Sequence, residues 1–258
     1  MITKAIHSLA LPRPRLIATL LIINGLAYIS YGYSSYEYVG DPINILNLLS
    51  GFDVDEVLIV DLSASSSHQL NIRLLSKLRA VADFPLAYAG GIKSAIHADC
   101  IMQLGFDKIF LAACNPSLPT LLKQISECYG IQALGLSVDY AIDNNKRYIY
   151  NPYIRRNSQL SLSSFLGSLQ VNLLSDLLFS CVDRAGHKTG LDLSILQEDY
   201  ICVIDNPILL SGGLHSQGSQ LLKNVNELYP GVAGFVASSS IFLQSGSSSA
   251  LVCLERHF

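Results

Sequence analysis

A chain of 258 residues, half of them hydrophobic, carries enough apolar material for one large α/β barrel or two small domains. Its net charge of −3 comes without a basic stretch, which argues against nucleic acid as a partner. Six cysteines and six histidines are scattered without C-x-x-C or zinc-like spacing, so the reading is reduced thiols in a cytoplasmic protein with neither metal nor cofactor.

In chain order, Leu16–Ile23 is apolar and follows Arg13 and Arg15, as a signal peptide would. Asn24–Gly25 interrupts it, no A-x-A cleavage site follows, and it is too short to span a membrane, so Leu16–Leu21 is expected as a buried first strand. Tyr28–Val39, aromatic and rich in Ser and Gly, reads as a long loop or small hairpin. Asp41 and Pro42 open a helix to about Phe52, as N-cap and first-turn proline. Glu56–Asp61 is the second strand, and Gln69–Ala82 shows the three-to-four spacing of a helix. Leu86–Ala89 and Lys108–Leu111 are strands three and four, followed by helices near Ala95–Leu104 and Pro119–Cys128. Gln132–Asp139 is strand five, and Tyr140–Arg156, with its Asn144–Asn145 turn, is a hairpin insert. A weak helix over Leu160–Leu169 precedes strand six, Leu177–Asp183, and a helix over Leu193–Glu198 follows it. Ile208–Ser211 and Gly234–Ala237 are strands seven and eight, with a helix to about Leu228 between them and a last one within Ser240–Leu254.

Eight strands, each followed by a helix pattern, predict a (β/α)8 TIM barrel in preference to a doubly wound open sheet. LAYAGGIKS at Leu86–Ser94 returns half a chain later as PILLSGGLHS at Pro207–Ser216. This repeat divides a single domain over 1–258 into half-barrels of about 1–130 and 131–258. Glycine pairs at strand ends leave backbone N–H groups open to an anion, which makes Gly90, Gly91, Gly212 and Gly213 candidate phosphate binders.

Chemistry in such a barrel sits at the C-terminal strand ends, where the predicted strands place Asp61, Asp139 and Asp183. An acid–base pair needs opposed carboxylates, and Asp139 is the catalytic candidate, but its first-half counterpart is Leu21, which transfers no proton. Asp61 and Asp183 are further rim candidates, with capping of the next segment as the alternative. Arg15, Glu56, Lys108 and Asp176 begin strands on the opposite face, as a salt-bridge ring or as solvated strand ends.

The stretches GDPI (Gly40–Ile43), DEVLIVDLSAS (Asp55–Ser65), AGGIKS (Ala89–Ser94), FDKI (Phe106–Ile109), VDRAGHKTG (Val182–Gly190) and SGG (Ser211–Gly213) carry a resemblance. The sequence resembles the cyclase subunit of imidazole glycerol phosphate synthase. The resemblance implies a half-barrel repeat, two opposed aspartates, a substrate phosphorylated at both ends and ammonia from a glutaminase partner. It assigns the ammonia gate to Arg15, Glu56, Lys108 and Asp176, the partner face to Asp107 and Gln132, and adds Gly186 and Ser240 to the phosphate elements. The sequence departs from the family at Leu21, Ile29, Ala112–Ala113, Tyr153–Ile154 and Ala185, all at catalytic or phosphate positions. A sister group with leucines at the first catalytic motif, TLLIINGL here, accompanies a glutaminase in the amidation of surface-polysaccharide sugars. Three functions are therefore weighed: an ammonia-relaying subunit for sugar amidation, a cyclase of histidine biosynthesis, and a barrel that only docks a glutaminase.

Overall fold

The computed structural model describes residues 13–67, 69–214, 225 and 228–238. The elements in order are β1 (Arg15–Ile23), β2 (Leu26–Tyr31), β3 (Ser35–Gly40), α1 (Pro42–Leu49), β4 (Glu56–Asp61), α2 (Leu62–Ser67), α3 (Ile72–Val81), β5 (Leu86–Ala89), α4 (Ala95–Gln103), β6 (Lys108–Ala112), α5 (Leu118–Tyr129), β7 (Leu134–Asp143), β8 (Lys146–Asn151), β9 (Arg156–Ser161), α6 (Leu162–Ser168), β10 (Asp176–Cys181), α7 (Asp199–Cys202), β11 (Ile208–Ser211) and β12 (Val232–Ser238). Strands β1, β4, β5, β6, β7, β10, β11 and β12 pair in parallel in that order, and β12 closes back on β1, giving the (β/α)8 barrel. No helix among the described residues is long and apolar enough to cross a membrane.

Local chemistry fixes the helix starts. The Asp41 carboxylate accepts from the N–H groups of Ile43 (2.9 Å) and Asn44 (3.2 Å), and Pro42 supplies a preset first turn. Asn71 and Ser94 cap α3 and α4 in the same way. Helix α5 buries Leu118, Leu121, Leu122 and Ile125, one stripe at helical spacing. Between helices and strands, side chains such as Leu20, Val57, Ile59, Leu75 and Leu78 are fully buried, each stabilising the fold by about 1.5–3 kcal/mol.

The barrel interior is layered. Ile17, Leu58, Ala87, Phe110, Leu178, Leu209 and Val236 form a buried apolar layer between the two ends. Phe110 lies across from Gly135 on the neighbouring strand, where an added Cβ would stand 2.4 Å from its ring. The bare backbone of Gly135 is what leaves room for that ring.

A two-stranded ornament follows the first strand of each half. Strand β1 turns into β2 and β3 through Asn24–Gly25, and β7 turns into β8 and β9 through Asn144–Asn145. All four turn residues have positive φ (51°, 78°, 48° and 61°), the geometry of the tight turns that match strand twist. Asn24–Gly25 is thus a hairpin turn that carries strand one on to Ile23, and the aromatic stretch after it is its return strand and the next one.

Three further expectations are corrected. Strand six ends at Cys181, and Val182–Arg184 is a 3-10 turn. Leu193–Gln197 is 3-10 rather than α-helical. Strand five runs from Leu134 to Asp143, with Gln132 in a preceding 3-10 turn, so Asp139 lies within the strand and the chain continues past it into the second hairpin. The helix expected before Leu228 lies largely outside the described residues, and the one within Ser240–Leu254 lies wholly outside them, as does Ser240.

Candidate active site

A cavity of about 600 Å³ opens at the C-terminal strand ends. Asp139, only 9% exposed, faces it from β7. The Tyr33 hydroxyl donates to Asp139 Oδ1 at 2.9 Å, reaching over from the turn between β2 and β3. That turn is held in several ways. Gly32 N–H donates to Ala185 O (2.9 Å), the Tyr36 hydroxyl donates to Tyr33 O (3.2 Å), and the Tyr33 ring meets Tyr150 edge-on at 6.1 Å. Tyr33 itself sits at φ 55°, a left-handed conformation that these contacts sustain.

Burial pushes the Asp139 carboxyl up to about 6, and the donation from Tyr33 offsets part of that rise. A carboxyl in this range exchanges a proton near neutrality, as a general acid or base must. Burial, and then the Asp139 charge, hold the Tyr33 phenol well above its ordinary value, so it remains a donor. Leu21 lines the same cavity from β1, four strands away round the ring, and offers no proton.

The other two aspartates expected at strand ends are both engaged by backbone N–H groups. Asp61 ends β4, but it is 2% exposed, is absent from the cavity wall, and accepts the Ala64 N–H at 2.9 Å. Asp183 is not at a strand end, because the chain has already turned after Cys181; its carboxylate accepts the Ile142 N–H at 2.7 Å and holds the β7–β8 hairpin. Neither joins Asp139 in the cavity, so no opposed pair of carboxylates forms among the described residues.

Gly90, Gly91, Gly186, Gly212 and Gly213 all line the cavity. Packing alone demands most of them. A Cβ on Gly90 would stand 2.3 Å from Asp61 O, and one on Gly212 would stand 2.4 Å from Cys181 O. Both glycines have positive φ (132° and 96°), so each half tucks a strand exit against the preceding one in the same way. A Cβ on Gly186 would stand 2.4 Å from Ser30 O, so this glycine lets the first hairpin dock.

At the opposite end, the four predicted charges do meet. Arg15 reaches Glu56 (3.3 Å) and Asp176 (2.7 Å), and Lys108 pairs with the other Asp176 oxygen. Burial opposes ionisation of Asp176, but Lys108 and Arg15 outweigh it and hold the carboxyl below its ordinary range. Glu56 has weaker partners, and burial pushes its carboxyl up. Asp107 and Gln132 are exposed on this face; Asp107 accepts the Leu86 N–H at 2.9 Å and so also fixes β5.

Sequence reasoning missed Tyr33, Tyr36, Arg155 and Lys188, which line the mouth, and the hydroxyls of Thr19, Ser137, Ser180 and Ser211 beneath them. The Asn24–Gly25 dipeptide, read as a hairpin turn, would have brought the first two over the barrel. The described cysteines are all free, and no group of three or more potential metal ligands forms among the described residues.

The chain is similar to two Leptospira proteins that carry the provisional name imidazole glycerol phosphate synthase subunit HisF. The L. borgpetersenii protein is 30% identical over 93% of this chain and 94% of its own length. The L. interrogans protein is 26% identical over the same shares. A Pseudomonas aeruginosa protein provisionally named subunit hisF2 is also 26% identical, over 93% of this chain and 94% of its own length. A family model described as histidine biosynthesis protein matches residues 15–246, nearly the whole barrel, and the chain belongs to that family.

Proposed function

We propose that this chain is an imidazole glycerol phosphate synthase-like subunit that takes ammonia from a glutaminase seated on its strand-start face, in the service of amidating a surface-polysaccharide sugar. The observation that carries the reading is an imbalance between the two ends. Three ion pairs join all four charges in the order Glu56–Arg15–Asp176–Lys108, whereas Asp139 has Leu21 where a second proton-transferring group would stand. A barrel that has kept its charged entrance and lost half of an acid–base pair is suited to passing ammonia on. In this reading the protein is cytoplasmic and folds as one barrel domain over 1–258, with halves of about 1–130 and 131–258.

The test is reconstitution with a class I glutaminase and nitrogen-15-labelled glutamine. The chain is expected to bind the glutaminase and raise its turnover by about tenfold. Lys108→Met is expected to keep the complex while changing passage of labelled ammonia. Absence of both complex and stimulation refutes the proposal. Complex formation and stimulation without any passage of label favour a barrel that only docks.

The Asp139–Tyr33 hydrogen bond favours a second reading, retained cyclase chemistry of histidine biosynthesis. Turnover of the formimino nucleotide with ammonium by the purified chain would establish it and displace sugar amidation. Under this reading Leu21→Asp is expected to raise the rate by about a hundredfold, the size of a recovered general acid.

A further inference from the structure

Asp192 is buried on the flank of β7, away from the cavity wall, and accepts hydrogen bonds from three side chains. Arg147 of β8 donates from Nε to Oδ2 (3.0 Å) and from Nη2 to Oδ1 (3.2 Å), a two-pronged contact that fixes the guanidinium in its plane. The Tyr140 hydroxyl donates to Oδ2 at 2.9 Å, and that of Ser194 donates to Oδ1 at 2.5 Å. Arg147 also donates to Ser194 Oγ (2.7 Å) and pairs with Glu198. Burial opposes ionisation of Asp192, but Ser194, Arg147 and Tyr140 outweigh it and hold the carboxyl below its ordinary range.

Three parts of the mouth meet at this carboxylate. Tyr140 follows Asp139 on β7 and so points to the opposite face of the strand. Arg147 begins the return strand of a hairpin whose far turn brings Pro152, Tyr153 and Arg155 into the cavity wall, and whose Tyr150 meets Tyr33. Asp192 itself closes the segment that supplies Ala185, Gly186 and Lys188 to the mouth. The start of that segment is tied to the same hairpin, through Asp183 and the Ile142 N–H. The first half shows that such a hairpin forms without a clamp. The second residue past its turn is Ala27, fully buried, where the second hairpin has Arg147. A buried ion pair adds little stability over apolar groups of similar volume, so stability alone does not account for this one.

We propose that Arg147 and Asp192 are positioning residues for Asp139: they hold the second hairpin and the segment 183–192 against β7, and so keep the candidate catalytic carboxyl shielded from water and under the Tyr33 hydroxyl. Neither lines the cavity, so both act through Tyr140 and the hairpin. This role rests on the reading of Asp139 as the proton-exchanging group of the site, and needs neither a glutaminase nor turnover.

The test is carbon-13 NMR titration of the Asp139 carboxyl in the full chain, its resonance assigned by its absence from Asp139→Asn. Tyr33, Tyr150, Tyr153 and Cys114 face Asp139, and each is pushed above its ordinary range, chiefly by burial. Arg155 and Lys188 are the cations of the same cavity wall; Asp183 lies beside Ile142 and His187 beside Gly32, and their resonances are read separately. The parent carboxyl is expected to titrate at about 6. Arg147→Met is expected to lower its proton affinity by about tenfold, one pH unit, because a loosened hairpin admits water. Burial is the larger influence on this carboxyl, so its loss decides the sign over any loss of the Tyr33 donation. Leu122→Ala, a truncation in the core of the remote helix α5, is expected to destabilise the fold and leave the titration in place. If circular dichroism shows Arg147→Met to be unfolded, Tyr140→Phe takes its place, with an expected fall of about threefold. An unmoved midpoint in the folded clamp variant overturns the proposal, as does an equal shift in Leu122→Ala. Both of those outcomes leave Asp139 as the titrating group; a parent in which Asp139 does not titrate near neutrality overturns the proposal and that reading together.

Discussion

Asp176 and Asp139 are both buried carboxylates on neighbouring barrel strands, yet the two ends of the barrel treat them in opposite ways. Asp176 is bonded to Arg15, Lys108 and Ser175, and those partners keep it ionised. Asp139 has a neutral phenol beside it, and burial raises its carboxyl to about 6. Burial is common to both, so the partner decides whether a carboxylate is a fixed element of structure or a group able to exchange protons. The comparison also separates the roles proposed for the two ends: a carboxylate fixed in its charge by ion pairs at one, a titrating side chain at the other.

Removing the partnered carboxylate is the largest way to break this contrast. Asp176→Ala leaves Arg15 and Lys108 sharing Glu56 as their counter-charge at the barrel end, and a loss of about 2–3 kcal/mol is expected by urea denaturation. At the other end the sign reverses. The folded carboxyl of Asp139 titrates near 6, above the unfolded value of about 4, so the folded state binds its proton more tightly. Stability therefore falls as pH rises from about 4 to about 6. Asp139→Asn removes that loss and is expected to be more stable than the parent by about 2 kcal/mol at neutral pH, with the difference gone at about pH 3. Thermal melts across this range check both the size and the direction. The smallest effect sharpens the comparison without removing either carboxylate. Tyr33→Phe takes away the donation that lowers the Asp139 carboxyl, so carbon-13 NMR titration should place its protonation at higher pH, while stability changes by no more than about 1 kcal/mol.

The barrel and its charged end were legible because each depends on short, regular patterns. EVLIVD and KIFLA are strands wherever they pair, and a charge at a strand start has few places to go except the end of the barrel. The mouth was less legible because side-chain direction there depends on where the chain turns. Asp61, Asp139 and Asp183 each follow an apolar run in sequence, but the helix after β4 brings the Ala64 N–H to Asp61, and the 3-10 turn after β10 carries Asp183 to the Ile142 N–H of β7. Tyr33 comes from more than a hundred positions away in sequence, and only the folding-back of the first hairpin brings it to Asp139. The glycine pairs identified the fold, but the backbone oxygens against them account for their presence whatever the ligand.

Phe110 and Gly135 face one another across adjacent strands, and the volume of one is available because the other has no side chain. The two positions therefore behave as one steric unit. A side chain at 135 is tolerated only with a smaller residue at 110, and small residues at both leave an internal void. Among chains of this architecture, bulk at these two positions should vary reciprocally, a pairing invisible to inspection of either residue alone.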